Sequence, residues 1–124
     1  MKTLETATYA NFATFRKSGA KVATPVWFAP HKQGYAVFSA GDAGKVKRLR
    51  NSAQAELAPC TYSGKLLGDW VDAEAFVLED ESECEAARRA LVAKYGWMMR
   101  MTDFSSRLAG RYHRRAYIYI RVND

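Results

Sequence analysis

The segment Lys21-Val-Ala-Thr-Pro-Val-Trp-Phe-Ala constrains the fold more than any other stretch of the chain. With the two-residue period of a strand, Val22, Thr24, Val26 and Phe28 point one way and Ala23, Pro25, Trp27 and Ala29 the other. Both faces are largely apolar, so such a strand needs cover on both sides. Pro25, however, has no N–H to give to a ladder. At that point the strand must lie at an edge, at a bulge, or beside something other than a strand. A flat ligand along the backbone meets this requirement, and so does a plain bulge.

The segments around it alternate too. Asn11–Arg16 reads as a first strand, joined to Lys21 by the turn Lys17-Ser-Gly-Ala. Pro30-His-Lys-Gln-Gly turns the chain into a third strand, Tyr35–Ser39. Gln54–Tyr62 and Trp70–Leu78 follow, and Tyr112–Val122 closes the series. In the fifth strand Val71, Ala73, Ala75 and Val77 make a clean apolar face. Trp70, Asp72, Glu74 and Phe76 make a mixed one that suits a subunit interface, a pocket rim or the edge of the core. In the last strand Ile118, Ile120 and Val122 point inward, and Tyr117, Tyr119 and Arg121 outward.

Between the last two strands, Ser82-Glu-Cys-Glu has the pattern of a capping box and starts a helix that runs to Gly96, burying Cys84, Ala87, Leu91 and Tyr95. Trp97, Met101, Phe104 and Leu108 recur at helical spacing in a second helix ending at Gly110, a stripe read as core. The pattern predicts a mainly β fold in one domain, residues 1–124: a six-stranded antiparallel β-barrel with flanking helices. An open antiparallel sheet with the helices on one face is the alternative.

The candidate site follows the third strand, in Ser39-Ala-Gly-Asp-Ala-Gly-Lys-Val-Lys-Arg-Leu-Arg-Asn. Val46 and Leu49 give a short helix one buried stripe, with Asp42 as its N-cap and Asn51 as its C′ residue. A helix N-terminus carries unpaired N–H groups and a partial positive charge, so it attracts anions. Gly41 and Gly44 allow a close approach, and Lys45, Lys47, Arg48 and Arg50 add cations, with Lys45 and Arg48 sharing a face. A phosphate-bearing ligand is the sharp reading, and a solvated basic helix is the bland one.

A formal charge of +6 predicts attraction to polyanions without choosing among them. Arg111-Tyr-His-Arg-Arg interleaves basic and aromatic residues as single-strand binders do. Yet the basic residues fall in separate segments and no nucleic-acid signature accompanies them, so nucleic acid is the weaker partner. No apolar run reaches the ~20 residues of a membrane span and the first residues do not form a signal peptide, which predicts a cytoplasmic protein without a membrane partner. Cys60 and Cys84 lack metal-ligand spacing and are read as reduced packing residues. His31 and His113 show no zinc or triad pattern, and no metal site is expected.

Phe12-Ala-Thr-Phe-Arg-Lys-Ser-Gly, Thr24-Pro-Val-Trp-Phe, the Ser39–Asn51 stretch and Leu57-Ala-Pro-Cys stand in this order. With them the chain resembles the pyridoxamine 5′-phosphate oxidase-like split β-barrels, and among these the actinobacterial branch described as deazaflavin (coenzyme F-420)-dependent oxidoreductases. The resemblance implies a homodimer with flavin-type sites at the interface. Ser39 and Ala40 match backbone-contact positions, Lys45 a phosphate lysine, and Thr24 and Pro25 the strand beside the ring system. Lys47 and Arg48 would support the phosphate, and Trp70 or the C-terminal tyrosines would wall the slot from the second subunit. Gly44 stands where the pyridoxamine phosphate oxidases carry an arginine, and their substrate-phosphate residues have no clear counterparts, which argues against vitamin B6 oxidation.

Lys47, Arg48 and Arg50 exceed what one phosphate needs, a surplus that suits the polyglutamate tail of F-420, with FMN next. The expected function is an oxidoreductase that exchanges hydride with a small organic substrate, with no catalytic side chain identifiable. The alternative is a cofactor-, haem- or nucleic-acid-binding module without turnover.

Overall fold

The computed structural model describes residues 3–41, 43–110 and 115–123. Its elements in chain order are β1 (Tyr9–Phe15), β2 (Lys21–His31), β3 (Gly34–Ala40), α1 (Gly44–Asn51), β4 (Gln54–Cys60), β5 (Val71–Val77), α2 (Glu81–Tyr95), α3 (Trp97–Leu108) and β6 (Arg115–Val122). The strands form a closed antiparallel barrel in the order β1-β2-β3-β6-β5-β4, with β4 returning to β1. The barrel reading holds and the open sheet does not.

Two apolar layers follow from the strand alternation. Inside the barrel Phe12, Phe28, Val37, Leu57, Ile118 and Ile120 meet, and Val46 and Leu49 of α1 join them. Each such large side chain contributes about 1.5–3 kcal/mol by leaving water. Outside it, Ala29 and Ala36, paired across β2 and β3, leave room for Ala87, Leu91 and Tyr95 of α2 and for Met99 of α3. Tyr117 points outward as the period demands, but it is buried in this outer layer.

β2 does not keep one pair of neighbours. Residues Lys21 to Trp27 pair with β1, and only Phe28 to His31 pair with β3. Cover on both faces runs from Val26 to Ala29: Val26, Phe28 and Ala29 are buried and Trp27 packs against the outer layer, while Ala23 and Pro25 are exposed. Pro25 sits opposite Asn11 of β1, on a stretch with no strand on its other side among the described residues. The proline requirement is met by a free edge.

Several local expectations are corrected. α2 is capped by Asp80, whose carboxylate accepts from the Glu83 N–H at 3.2 Å and from the Ser82 hydroxyl, so the Ser82 box does not form. The earlier start puts Glu81 and Glu83 in the first turn, where the helix dipole favours them. In α1 the N-cap position is Ala43, without a side-chain cap. Asn51 is the last helical residue and Ser52 the C-cap. Asp42 lies outside the described residues, as do Tyr112 and His113.

The largest correction concerns α3. Trp97, Met101, Phe104 and Leu108 are 68%, 59%, 63% and 74% exposed, and the buried positions are Met99 and Asp103. Asp103 pairs with Arg115 of β6 at 2.6 Å and with Arg88 of α2 at 3.4 Å. Turning the stripe inward would break both pairs and take this carboxylate away from buried Arg115, so the ion pairs hold the Asp103 face inward. Cys60 is buried, Cys84 half-buried, and both are free. No helix among the described residues is long and apolar enough to cross a membrane.

Candidate functional site

The divergence of β2 and β3 opens a slot. β3 continues alongside β6 as far as Ala40, while β2 from Trp27 back to Lys21 stays with β1. Between them lies a cavity of about 410 Å³, walled by Pro25, Val26 and Trp27 on one side and Phe38 and Ser39 on the other. That volume suits a small ligand or cofactor. Trp27 and Phe38 meet edge to face, ring centroids 6.4 Å apart, and make one wall aromatic. Among the described residues no strand pairs with this edge of β2, so its backbone polar groups beside the slot are open to a ligand.

Its far end is electropositive. Lys45, in the first turn of α1, reaches the slot. Burial, and then the neighbouring Arg48 guanidinium, lowers its pKa from the usual lysine range. Among the described residues no carboxylate pairs with Lys45, Lys47 or Arg48. An anion docked here would favour the charged form of Lys45 and so oppose the shift. Arg48 turns back toward β1, its Nε donating to Thr14 Oγ1 at 2.6 Å. A Cβ at residue 44 would come within 2.7 Å of the Arg48 guanidinium, so the glycine is what lets Arg48 fold back there.

Of the residues singled out from the sequence, the slot brings together Pro25, Ser39 and Lys45. Ala40 is exposed, one residue beyond Ser39, and pairs with Arg115. Lys47 is exposed on α1. Thr24 is not among the lining residues, and its Oγ1 is buried without a hydrogen-bond partner. Trp70 stands elsewhere, with Lys21 Nζ 3.4 Å above its ring and that same lysine paired to Glu56 at 2.7 Å.

Sequence reasoning did not select Tyr9, Tyr62 or Thr102, which complete the rim. Trp27 was recoverable, because strand period already places it on the Pro25 face. Tyr62 sits in the turn after β4, where no period applies, and Thr102 depends on the orientation of α3.

A second groove, of about 430 Å³, adjoins the first and shares Trp27 and Thr102 with it. Trp97, Met98 and Met101 supply its apolar surface, Ser105 and Ser106 its polar edge, and no lining residue is charged.

No protein-family model matches the chain, and no curated protein matches it in sequence. Solved structures do superpose on it. The haem storage protein HutZ from Vibrio cholerae matches with a TM-score of 0.69 and 16% identity, over 97% of this chain and 84% of its own. A Listeria innocua protein described as a pyridoxamine 5′-phosphate oxidase gives 0.65 and 14%, over 98% and 88%. The closed six-stranded barrel with its flanking helices matches the split-barrel fold of these structures. An FAD-binding protein from Mesorhizobium loti shares this split-barrel architecture, with a TM-score of 0.63 and 14% identity over 98% of this chain and 84% of its own. At such identities the likeness is one of architecture.

Proposed function

We propose that this split barrel is a cytoplasmic oxidoreductase that binds a phosphate-bearing flavin or deazaflavin in the slot. One observation carries the reading: Lys45, which no described carboxylate neutralises, stands at the end of an aromatic-walled cavity beside a strand edge that no described strand covers. Lys45 and the N-terminal N–H groups of α1 hold the phosphate. Ser39 and the free edge around Pro25 meet the heteroatoms of the ring, and Trp27 with Phe38 exclude water from its face. The bound cofactor supplies hydride chemistry; the chain binds and orients it. Coenzyme F-420 is favoured over FMN because the exposed Lys47 offers charge beyond one phosphate, where an acidic tail would pass; Arg50 is already paired with Glu79 at 3.6 Å. The uncharged groove past Trp27 suits a small organic substrate of low charge. The unpaired cysteines agree with a reducing compartment.

The active form in this reading is a homodimer that closes the slot mouth. Phe104 and Leu108 continue the α3 stripe beyond the groove and are exposed, as a face awaiting a second copy would be. Trp70, remote from the slot of its own chain, is free to wall that of the partner. Phe104→Glu is expected to shift the mass measured by sedimentation equilibrium from two chains to one.

The cofactor reading is tested by fluorescence titration with FMN and F-420 side by side. One of them binds the wild-type protein, and Lys45→Ala weakens it by about 1.5–3 kcal/mol, the scale of a charged hydrogen bond. Lack of binding of either cofactor, or Lys45→Ala titrating as wild type does, defeats it. A second reading, a haem-binding module without turnover, is favoured by the superposition on HutZ and by Tyr62, 76% exposed at the rim, where a phenolate can ligate iron. Haemin titration decides: a sharpened Soret band lost in Tyr62→Phe supports it.

A further inference from the structure

We infer that Lys94 and Tyr95, at the end of α2, are positioning residues that set the width of the slot by pinning β2 where it changes partners. The inference rests on the slot being the ligand site. Up to Trp27 the strand is held by β1 and from Phe28 by β3, so the peptide between them lies at the junction of two ladders.

The Tyr95 hydroxyl accepts from the Phe28 N–H at 2.8 Å and lies 2.8 Å from the Phe28 carbonyl and 2.7 Å from that of Thr8. A hydroxyl has one proton, which can serve only one of these carbonyls. Lys94 makes up the difference: its Nζ donates to the Phe28 carbonyl at 2.7 Å and to that of Ala7 at 2.9 Å. That leaves the Tyr95 proton available for the Thr8 carbonyl. Together the two side chains tie Ala7 and Thr8, which lead into Tyr9, to Phe28, which follows Trp27; Tyr9 and Trp27 are slot residues.

The Tyr95 ring also stacks on the Trp27 ring, 4.6 Å between centroids and 12° between planes, and Trp27 borders both the slot and the adjoining groove. Neither Lys94 nor Tyr95 lines the slot itself. Packing alone explains only part of this arrangement, since a phenylalanine would fill the ring's place as well. Taking an ammonium out of water over the Phe28 ring, 3.7 Å from its centroid, costs free energy, as the lowering of the Lys94 pKa to about 8 records. What the pair adds is a fixed Trp27 wall, on the scale where a displacement of about 1 Å changes a bound reactant's fate.

The test makes Trp27 the sole tryptophan through Trp70→Phe and Trp97→Phe, then measures acrylamide quenching and the affinities for FMN and F-420. The variants compared are Tyr95→Phe, Lys94→Met and Leu91→Ala, the last a cavity in the same helix that leaves the Phe28 bonds intact. Tyr95→Phe is expected to raise the quenching constant about twofold and the Kd about tenfold, the worth of one lost backbone hydrogen bond. Lys94→Met moves both the same way and carries the test if Tyr95→Phe fails to fold. Leu91→Ala lowers the melting temperature but leaves both readouts within about twofold. Unchanged quenching in Tyr95→Phe and Lys94→Met, or an equal change in Leu91→Ala, overturns the inference. If no form binds either cofactor the function proposed above fails, and the quenching series alone still decides whether the wall is pinned.

Discussion

The two parts of β2 have similar apolar composition and opposite fates. Phe28 to His31 pair with β3, and Ala29 among them lies under α2, while Lys21 to Trp27 pair with β1 and leave Ala23 and Pro25 exposed. The same strand is thus barrel wall at one end and slot wall at the other. Apolar character on both faces says that a strand needs cover, not that its own chain supplies it.

The comparison breaks or sharpens under substitution, beginning with the covered part. Phe28→Ala removes a fully buried ring and is expected to cost about 3–5 kcal/mol in urea unfolding. A cost no larger than that of Pro25→Ala would mean that the two parts do not differ. Asp103→Asn comes next, at about 3 kcal/mol, because it leaves buried Arg115 short of its anion. It also frees α3 to turn, so Thr102 leaves the slot rim and Met101 loses exposure, readable by oxidation footprinting. An unchanged footprint would mean that the ion pair does not orient the helix.

A pH series isolates the junction. The Lys94 pKa is lowered from 10.5 to about 8 in the folded chain. Between these values the unfolded chain binds more protons than the folded one, so this group makes stability rise with pH from about 8. Burial raises the Tyr95 pKa, which pulls the other way once unfolded tyrosine ionises near pH 10. The difference in urea midpoint between wild type and Lys94→Met, followed from pH 7.5 to 10, is expected to climb; a flat difference would place Lys94 in water. The smallest effect belongs to the open part: Pro25→Ala, on a free edge, is expected to change stability by less than about 1 kcal/mol. Its mark should instead appear in ligand affinity, since it gives the slot edge a new N–H.

Much of the architecture could be read from local pattern. Period-two alternation located all six strands and told inward from outward residues in β5 and β6. Pro25 limited that point of the strand to an edge, a bulge or a neighbour other than a strand, because a missing N–H is a property of the residue itself. The basic turn after β3 was equally legible, since charge and glycine do not depend on what packs nearby. Such features need only the chain's own neighbours.

Tertiary structure decided the rest. The stripe on α3 has the spacing of a core face, yet it is exposed, because Asp103 finds its partners in α2 and β6 and turning the stripe inward would break those pairs. Tyr62 and Thr102 reach the slot only because a turn and a helix are brought there by those distant contacts. Periodicity reports which residues share a face; where that face points is settled by charges and hydrogen bonds that join segments far apart in the chain.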